Sequence, residues 1–450
     1  MAVWNVVTAS EIPYDRCDAE FFRDDLSRII NAINAKKDAI CLSKIFKTIE
    51  RGCQPRYTKT GVVRALRSVN VGNLEINNVR QEYVDSEFVY GKKKGIVNKY
   101  DLLLTSTGVG TIGRTSIWNS DELSYADGHI TIMRDANVNP FTVAAFLITK
   151  YGKLQIEKHI RGSSGQIEIY PIDISKILFP KVLVEYQDEI GMEVDVALDM
   201  RERADKLLLQ AQQLLESELG LDTLDLYKAV SYTTSISKIE SAHRFDAEHY
   251  YPAFAKLTQN LPQAVNFEPL GPLLSYCQRG KQPSYADSGL PVLNSRHILE
   301  NKIVSERNRL AAPSVINTFQ IQYGDVLING TGRGTIGRTA PYLVPQLHAI
   351  PDNHVTILRS SKLDPAYLSF FLNSLAGKLQ VEQHQRGSSG QLELYPFDIR
   401  KFYVWVAPQS IQQEIRTLYD NANDAAQKSK QRLSKAKSRV EKLIEQGAQA

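Results

Sequence analysis

The stretch KLQIEKHIRGSSGQIEIYP, residues 153–171, recurs almost unchanged as KLQVEQHQRGSSGQLELYP at residues 378–396. Three further matches follow the same order, each at a separation of 224 or 228 positions. They are RGCQPRY from Arg51 with RGKQPSY from Arg279, TGVGTIGRT from Thr107 with TGRGTIGRT from Thr331, and Arg16, Asp18, Ala19 and Glu20 with Arg244, Asp246, Ala247 and Glu248. Matches in this order and spacing indicate a tandem duplication of a unit of roughly 225 residues, too long for a solenoid repeat. Each unit is therefore expected to be a full domain with a connector.

Both units have the same internal pattern of predicted elements. Helical periodicity at FFRDDLSRIINAIN gives way to strand-like runs at YDLLLTST and ITIM, whose second-unit counterparts are YGDVLINGT and VTIL. One helix is predicted over FTVAAFLITKYGKLQIEKHI and one over PAYLSFFLNSLAGKLQVEQH, before the RGSSGQ turn and strand-like IEIYP or LELYP. The mixture predicts an α/β (α+β) fold class.

Each unit is predicted to end in a long helix with a narrow apolar stripe at three- and four-residue steps. The stripe residues are Ile190, Val194, Ala197, Ala204, Leu207, Ala211, Leu214 and Leu215 in the first helix, and Ile411, Ile415, Leu418, Ala422, Ala425, Leu433, Ala436, Val440 and Leu443 in the second. Such stripes are typical of coiled coils. Segment 185–219 has ten acidic and three basic residues, and segment 409–447 has eight basic and five acidic residues, so each helix favours the other as partner. We expect the helices to pack together, antiparallel, as a spacer; docking of each on its own domain is the alternative.

These patterns predict five segments along the chain. They are a first domain at 1–185, a first long helix at 186–220, a linker at 221–238, a second domain at 239–407 and a second long helix at 408–446.

Composition narrows the class of protein. The hydrophobic fraction of 43% suits a soluble globular chain. The sequence has no run of about 18 apolar residues, so no membrane span is expected. The first residues lack a basic region followed by an apolar one, so a cytoplasmic protein is expected. The four cysteines, Cys17, Cys41, Cys53 and Cys277, form no C-x-x-C pair, which argues against a disulfide framework or a zinc site. A net charge of +4 permits a polyanionic partner without requiring one.

Two glycine motifs, GVGTIG from Gly108 and GRGTIG from Gly332, match the G-x-G-x-x-G fingerprint of dinucleotide binding. That mechanism needs a helix after the third glycine, and Pro341 and Pro345 follow the second motif where the helix would run. A tight turn between strands, with Arg114 and Arg338 at its edge, is the favoured interpretation. His129 and His354 occupy equivalent positions in DGH and DNH, and we expect structural hydrogen bonds from them rather than catalysis.

The duplicated layout resembles the specificity (S) subunits of type I restriction-modification systems. LLLTSTGVGTIGRT and VLINGTGRGTIGRT are similar to a recurring stretch of that family, and RGSSGQIEIYPIDISKILFP and RGSSGQLELYPFDIRKFYVWVAP resemble the segment that closes each recognition domain. EYQDEI and PQSIQQEI resemble the start of the long helices. The first copy lacks the Pro408–Gln409 pair that precedes the second helix.

This resemblance implies that the two domains are target-recognition domains, each binding a major groove and reading half of a split target, with the helices fixing the gap. It implies no catalytic residue, cofactor or metal in this chain. The implied partners are double-stranded DNA, two methyltransferase subunits that use S-adenosylmethionine, and ATP-dependent restriction/translocase subunits, without a membrane.

Comparison of the two halves gives candidate DNA contacts. The halves agree at 101–115 and 153–171, which indicates shared scaffold or shared contacts, and they diverge at 57–99 against 285–323, which indicates sequence reading. The RGSSGQ turns are identical in the two halves, so we expect them to bind phosphate or a shared partner rather than to distinguish half-sites. The candidate DNA-binding residues are Arg56, Tyr57, Lys59, Arg64, Arg67, Lys92, Lys93, Lys94, Arg114, Arg161, Lys281, Arg296, Arg307, Arg309, Arg333, Arg338 and Arg386.

Two other functions stay open from sequence. A nucleotide-binding tandem protein would use the two glycine motifs, and a non-enzymatic adaptor would use the helices and paired domains to bridge proteins.

Overall fold

The computed structural model describes residues 6–14, 16, 18–34, 38–77, 81–162, 165–221, 231–253, 266–304, 308–312, 320–344, 348–387 and 391–449. The chain divides into two compact units. The first unit comprises Met1–Glu202 with Ala425–Ala450, and the second comprises Arg203–Asp424. Each unit therefore holds a domain and one half of each long helix.

The first unit contains eleven described strands and seven short helices. The strands are β1 Ala39–Cys41, β2 Phe46–Arg51, β3 Tyr57–Thr58, β4 Val63–Leu66, β5 Glu82–Val84, β6 Ile96–Val97, β7 Leu102–Thr105, β8 Thr115–Ile117, β9 Ser124–Ala126, β10 Ile130–Ala136 and β11 Leu178–Pro180. The helices are α1 Asp24–Asn34, α2 Leu42–Ile45, α3 Ser86–Gly91, α4 Pro140–Leu147, α5 Lys150–His159, α6 Pro171–Ile174 and α7 Val182–Glu185. The first long helix, α8, spans Gln187–Glu218.

These strands form two main sheets and a two-stranded pair. One sheet has the order β2-β10-β7-β8, and all its neighbours are antiparallel. The other has the order β3-β5-β4-β9-β6, in which β4 and β9 run parallel. The pair joins β1 to β11.

The second unit contains twelve described strands and four short helices. The strands are β12 Phe267–Pro269, β13 Tyr276–Arg279, β14 Tyr285–Ala286, β15 Leu290–Leu293, β16 Ile298–Leu299, β17 Lys302–Ile303, β18 Leu310–Ala311, β19 Asp325–Asn329, β20 Thr339–Tyr342, β21 Ile350–Pro351, β22 Val355–Arg359 and β23 Tyr403–Trp405. The helices are α9 Ile236–Ala242, α10 Pro365–Asn373, α11 Leu375–His384 and α12 Pro396–Ile399. The second long helix, α13, spans Gln409–Gln449.

Sheet order is the same in both units. The sheet β13-β22-β19-β20 matches β2-β10-β7-β8, and the pair β12-β23 matches β1-β11. The sheet β14-β18-β15-β21 matches β3-β5-β4-β9 strand for strand, including the parallel pair β15 and β21. We call β3-β5-β4-β9-β6 and β14-β18-β15-β21 the variable sheets, because most of their strands come from the segments whose sequences diverge.

Each unit has two helices where the sequence predicted a single helix after the strands. The prediction of one continuous helix is therefore wrong. Thr149, two residues after the end of α4, caps α5 by accepting the N–H of Gly152 at 3.3 Å, and Ser374 caps α11 through Gly377 in the same way. A Cβ on Gly152 would lie 2.5 Å from the Cα of Leu147, so the second helix folds back closely on the first. Polar capping residues followed by glycine permit this sharp turn.

Both long helices are present and pack together, as predicted. In the first unit Glu189 pairs with Arg439 at 2.6 Å and Glu193 with Arg432 at 2.7 Å, an antiparallel register. In the second unit the buried Leu215 and Ile415 belong to one core. The helices also contribute to the domain cores, since Ile190 and Val440 share a buried cluster with the residues of α4. The acidic first helix and the basic second helix thus pack together, as their charges predicted.

No helix among the described residues is long and apolar enough to cross a membrane. The predicted domain limits stay predictions, and half of the predicted linker, residues 222–230, lies outside the described residues.

Candidate nucleic-acid interface

The glycine motifs form tight turns between antiparallel strands. Gly108, Gly110 and Gly113 have φ of 97°, 81° and 81°, and the second motif repeats these values within 1°. The turn joins β7 to β8, and no helix follows the third glycine. The predicted turn is confirmed, and the dinucleotide-binding alternative lacks the helix N-terminus that it needs. Arg114 lies at the edge of the turn and donates to the carbonyl of Gly110 at 2.8 Å.

The two equivalent histidines make equivalent hydrogen bonds beside these turns. Nδ1 of His129 lies 2.8 Å from Oγ1 of Thr107, and Nδ1 of His354 lies 2.7 Å from Oγ1 of Thr331. Asp127 accepts the backbone N–H of His129 at 2.9 Å. Burial raises the pKa of the Asp127 carboxyl. These bonds brace the turn against β10 and give the histidines the structural role expected of them.

Five first-half candidates are exposed cations on or beside the first variable sheet. They are Arg56, Lys59, Lys92, Lys93 and Lys94. The N–H of Asp85 at the start of α3 donates to the carbonyl of Arg56 at 3.2 Å, which places Arg56 beside the N-terminus of this helix. The three lysines follow the end of α3 directly. This edge of the sheet can therefore meet a phosphate backbone.

Three other first-half candidates are held by neighbours within the sheet. Arg64 donates to the carbonyl of Asn77 at 2.9 Å and lies 5.5 Å from the Trp118 ring, and burial lowers its pKa. Arg67 pairs with Glu82 at 2.5 Å and covers the ring of Tyr57 at 5.2 Å. The hydroxyl of Tyr57 donates to Asp127 at 3.3 Å, and its burial raises the Tyr57 pKa to about 12. These three side chains are therefore held by contacts within the domain, unlike the five exposed cations.

In the second unit Lys281, Arg296, Arg309 and Arg333 are exposed. The guanidinium of Arg309 lies 3.2 Å from the centre of the Tyr285 ring, which fixes its orientation at the start of β18. Arg338 is half-buried at the second glycine turn. Arg307 lies outside the described residues.

Arg161 and Arg386, in the RGSSGQ turns, each form a two-point ion pair with a buried aspartate. Arg161 contacts both oxygens of Asp173 at 2.8 Å, and Arg386 contacts those of Asp398 at 2.8 and 2.9 Å. The described part of these turns is therefore anchored to the domain by its own arginine.

Sequence reasoning missed a duplicated ion pair beside these turns. Arg51 pairs with Glu168 at 3.2 Å and Arg279 with Glu393 at 3.0 Å. The repeat of RG and of the glutamate in QIEIYP and QLELYP was the available signal.

Sequence reasoning also missed an acidic cleft of about 650 Å³ in the first unit, lined by Asp121, Glu122, Asp195, Asp199 and Glu202 among others. Its charge is unsuited to DNA. No cluster of three His, Cys, Asp or Glu side chains in the described ranges has the arrangement of a metal site.

The fold and its exposed cations define a tandem two-domain protein with paired long helices and two variable, cation-bearing sheets.

No family model and no curated protein matches this chain. Similar solved structures include the S subunit of a type I restriction-modification system from M. genitalium, with 12% identity, 90% of this chain and 94% of that chain covered, and a TM-score of 0.39. A chain from a study of complex assembly in the type I R-M system has 13% identity, coverage of 91% and 97%, and a TM-score of 0.30. The HsdS subunit from Thermoanaerobacter tengcongensis has 13% identity, coverage of 90% and 96%, and a TM-score of 0.26.

Proposed function

We propose that this chain is the DNA-binding specificity subunit of a type I restriction-modification complex. It would recognise a two-part target and direct methyltransferase and restriction subunits to it. The chain itself would be non-catalytic and cytoplasmic, with S-adenosylmethionine and ATP bound by the partner subunits.

The observation that carries this proposal is the contrast between backbone and side chains in the variable sheets. Segments 57–99 and 285–323 differ in sequence, yet their strands pair in the same order and with the same parallel neighbour. The correspondence extends to single bridges, since Val97 pairs with Ser124 as Ile321 pairs with Ala349. Two domains that recognise different half-sites require a constant backbone framework with different surface residues.

The exposed side chains on these sheets suit duplex DNA. Lysines such as Lys92, Lys93 and Lys94 are point charges that suit phosphates, whereas an oriented arginine such as Arg309 suits the paired acceptors of a guanine edge. The cationic side chains differ in position between the units, as different half-sites would demand. Arg64 and Arg67 support the first variable sheet through internal bonds, and Arg161 and Arg386 anchor the RGSSGQ turns.

Mapping of methylated bases tests the proposal. Genomic DNA would be compared between cells that carry this chain with its methyltransferase subunit and cells in which this chain alone is deleted. We expect methylation at a two-part motif with a fixed gap, lost on deletion. Unchanged methylation would overturn the proposal and favour the adaptor function.

A further inference from the structure

Each unit carries an exposed apolar patch at the start of a short helix. In the first unit Tyr170 and Ile172 are 42% and 64% exposed, at the start of α6. In the second unit Phe397, on α12, is 52% exposed and stacks on Tyr395 with ring centres 5.5 Å apart and planes 8° from parallel. We call these the first and second YP patches, after the Tyr-Pro pair that each contains. Exposed aromatic and aliphatic groups of this kind mark interaction sites when they cluster.

The cations around both patches occupy equivalent positions. Arg51 lies 5.0 Å from the Tyr170 ring, and Arg279 lies 5.2 Å from the Tyr395 ring. Arg386 covers the Phe397 ring at 5.1 Å. The arrangement thus repeats in both units, although the variable sheets of the two units have different residues.

The charges of each patch are largely neutralised within the domain. In the first patch Arg51 pairs with Glu168, and Arg161 and Lys176 both contact Asp173. The second patch repeats these pairs with Glu393 and Asp398. In each unit these three cations and two carboxylates sum to a net charge of +1, with Arg400 added in the second unit where the first has Ser175. Glu168 and Glu393 would repel phosphate. An apolar centre with arginines held in place is typical of a protein interface rather than of a phosphate site.

We propose that the two YP patches dock two copies of one folded protein. Resting on the proposed function, that protein is the methyltransferase subunit. The same partner needs the same chemistry at each unit. The residues of the patches are similar in the two units, whereas those of the variable sheets differ. The patches therefore recruit the partner and do not select the target.

The test is the mass of the complex formed when the full chain is co-expressed with its methyltransferase subunit, measured by native mass spectrometry. Tyr170→Ser with Ile172→Ser removes the first apolar centre, and Tyr395→Ser with Phe397→Ser removes the second. We expect two copies on the unchanged chain, one copy on each double variant and none on the fourfold variant. The copy kept by each double variant shows that the unaltered unit is folded, and an unchanged urea midpoint shows that the altered unit is folded too. Val62→Ser and Phe245→Ser remove exposed apolar groups elsewhere, 83% and 90% exposed, and should keep both copies.

Two copies on the fourfold variant would overturn the inference. The same result with loss of duplex-DNA binding would identify the patches as a nucleic-acid surface. An unchanged chain that binds no methyltransferase subunit would instead overturn the proposed function, and this inference with it.

Discussion

Arg386 holds both carboxylate oxygens of Asp398, at 2.8 and 2.9 Å, and the Asp398 side chain is only 1% exposed. The aspartate lies on α12 and the arginine begins the RGSSGQ turn, so one ion pair fastens the turn to the domain. Arg161 and Asp173 repeat the arrangement in the first unit. Removal of the arginine would leave the buried Asp398 with Lys401, 3.9 Å away, in place of a two-point ion pair.

Substitution Arg386→Met should therefore destabilise the second unit by about 2 kcal/mol. This cost is lower than that of breaking a fully buried ion pair, because the arginine is itself partly exposed. Urea unfolding of the full chain measures the change. Arg296→Met removes an exposed arginine of the same unit and should stay within about 0.5 kcal/mol of the unchanged chain. Equal effects of the two substitutions would show that the ion pair does not stabilise the turn.

The glycine turns offer a matched pair of substitutions. Gly334 and Gly337 both have φ of 81°, but a Cβ on Gly334 meets nothing within 4 Å, whereas one on Gly337 lies 2.8 Å from both γ-carbons of Val381. Gly334→Ala should cost about 1 kcal/mol from backbone strain alone. Gly337→Ala should cost about 1–3 kcal/mol more because the turn would overlap α11.

Thermal unfolding compares the two glycine variants. Val381→Ala in the Gly337→Ala background should recover part of the additional loss, so the double variant should be less destabilised than the sum of the single ones. Equal melting temperatures for Gly334→Ala and Gly337→Ala would contradict the close packing of the turn on the helix.

Stability should fall in mild acid because of His159, which is buried, and His384, which is half-buried. Burial lowers the pKa of His159 and of His384 to about 4. The unfolded chain binds these protons near pH 6.5, before the folded chain does, so stability is complete above about pH 7 and declines as pH falls toward 4. Between pH 7.5 and 5 the loss should be about 1–2 kcal/mol for each histidine.

Urea midpoints at the two pH values measure this loss. The variant with His159→Phe and His384→Phe should show a smaller difference between pH 7.5 and 5. His348→Phe, at an exposed site, should keep the difference of the unchanged chain. A pH dependence that is the same in all three proteins would argue against the lowered pKa values.

The sequence predicted the duplication, the two long helices and the turn at the glycines. Those predictions succeeded because repeated motifs such as RGSSGQ and apolar stripes such as that of Ile190 and Val194 are local patterns. The common order of the variable sheets could not be predicted, because 57–99 and 285–323 share few residues and strand pairing is a non-local property. Burial is not visible in the sequence either, so Arg64, which lies on the Trp118 ring, could not be distinguished from an exposed cation such as Lys59.

The exposed lysines after α3 should contribute affinity without sequence preference. Substitution of Lys92, Lys93 and Lys94 by glutamine should weaken DNA binding and lower the slope of log affinity against log salt by up to about 0.9 for each phosphate that the variant no longer neutralises. The recognised motif should stay the same. Arg309→Gln should instead relax one base of the second half-site, with a change in slope of about 1 at most.

Fluorescence anisotropy of the assembled complex across a salt series measures these slopes. Lys362→Gln, an exposed lysine outside the variable sheets, is the control and should leave both affinity and slope unchanged. If the triple lysine variant altered the motif, those residues would be base readers and our division between phosphate and base contacts would be wrong.

An exchange within the chain itself tests the central claim most directly. Residues 57–99 would be replaced by a second copy of residues 285–323, which form the same sheet order, and methylated bases would be mapped in cells that carry the hybrid with the methyltransferase subunit. We predict a motif in which the second half-site sequence occurs twice, with the first half-site lost. A motif whose first half is unchanged would contradict the assignment of DNA reading to the variable sheets.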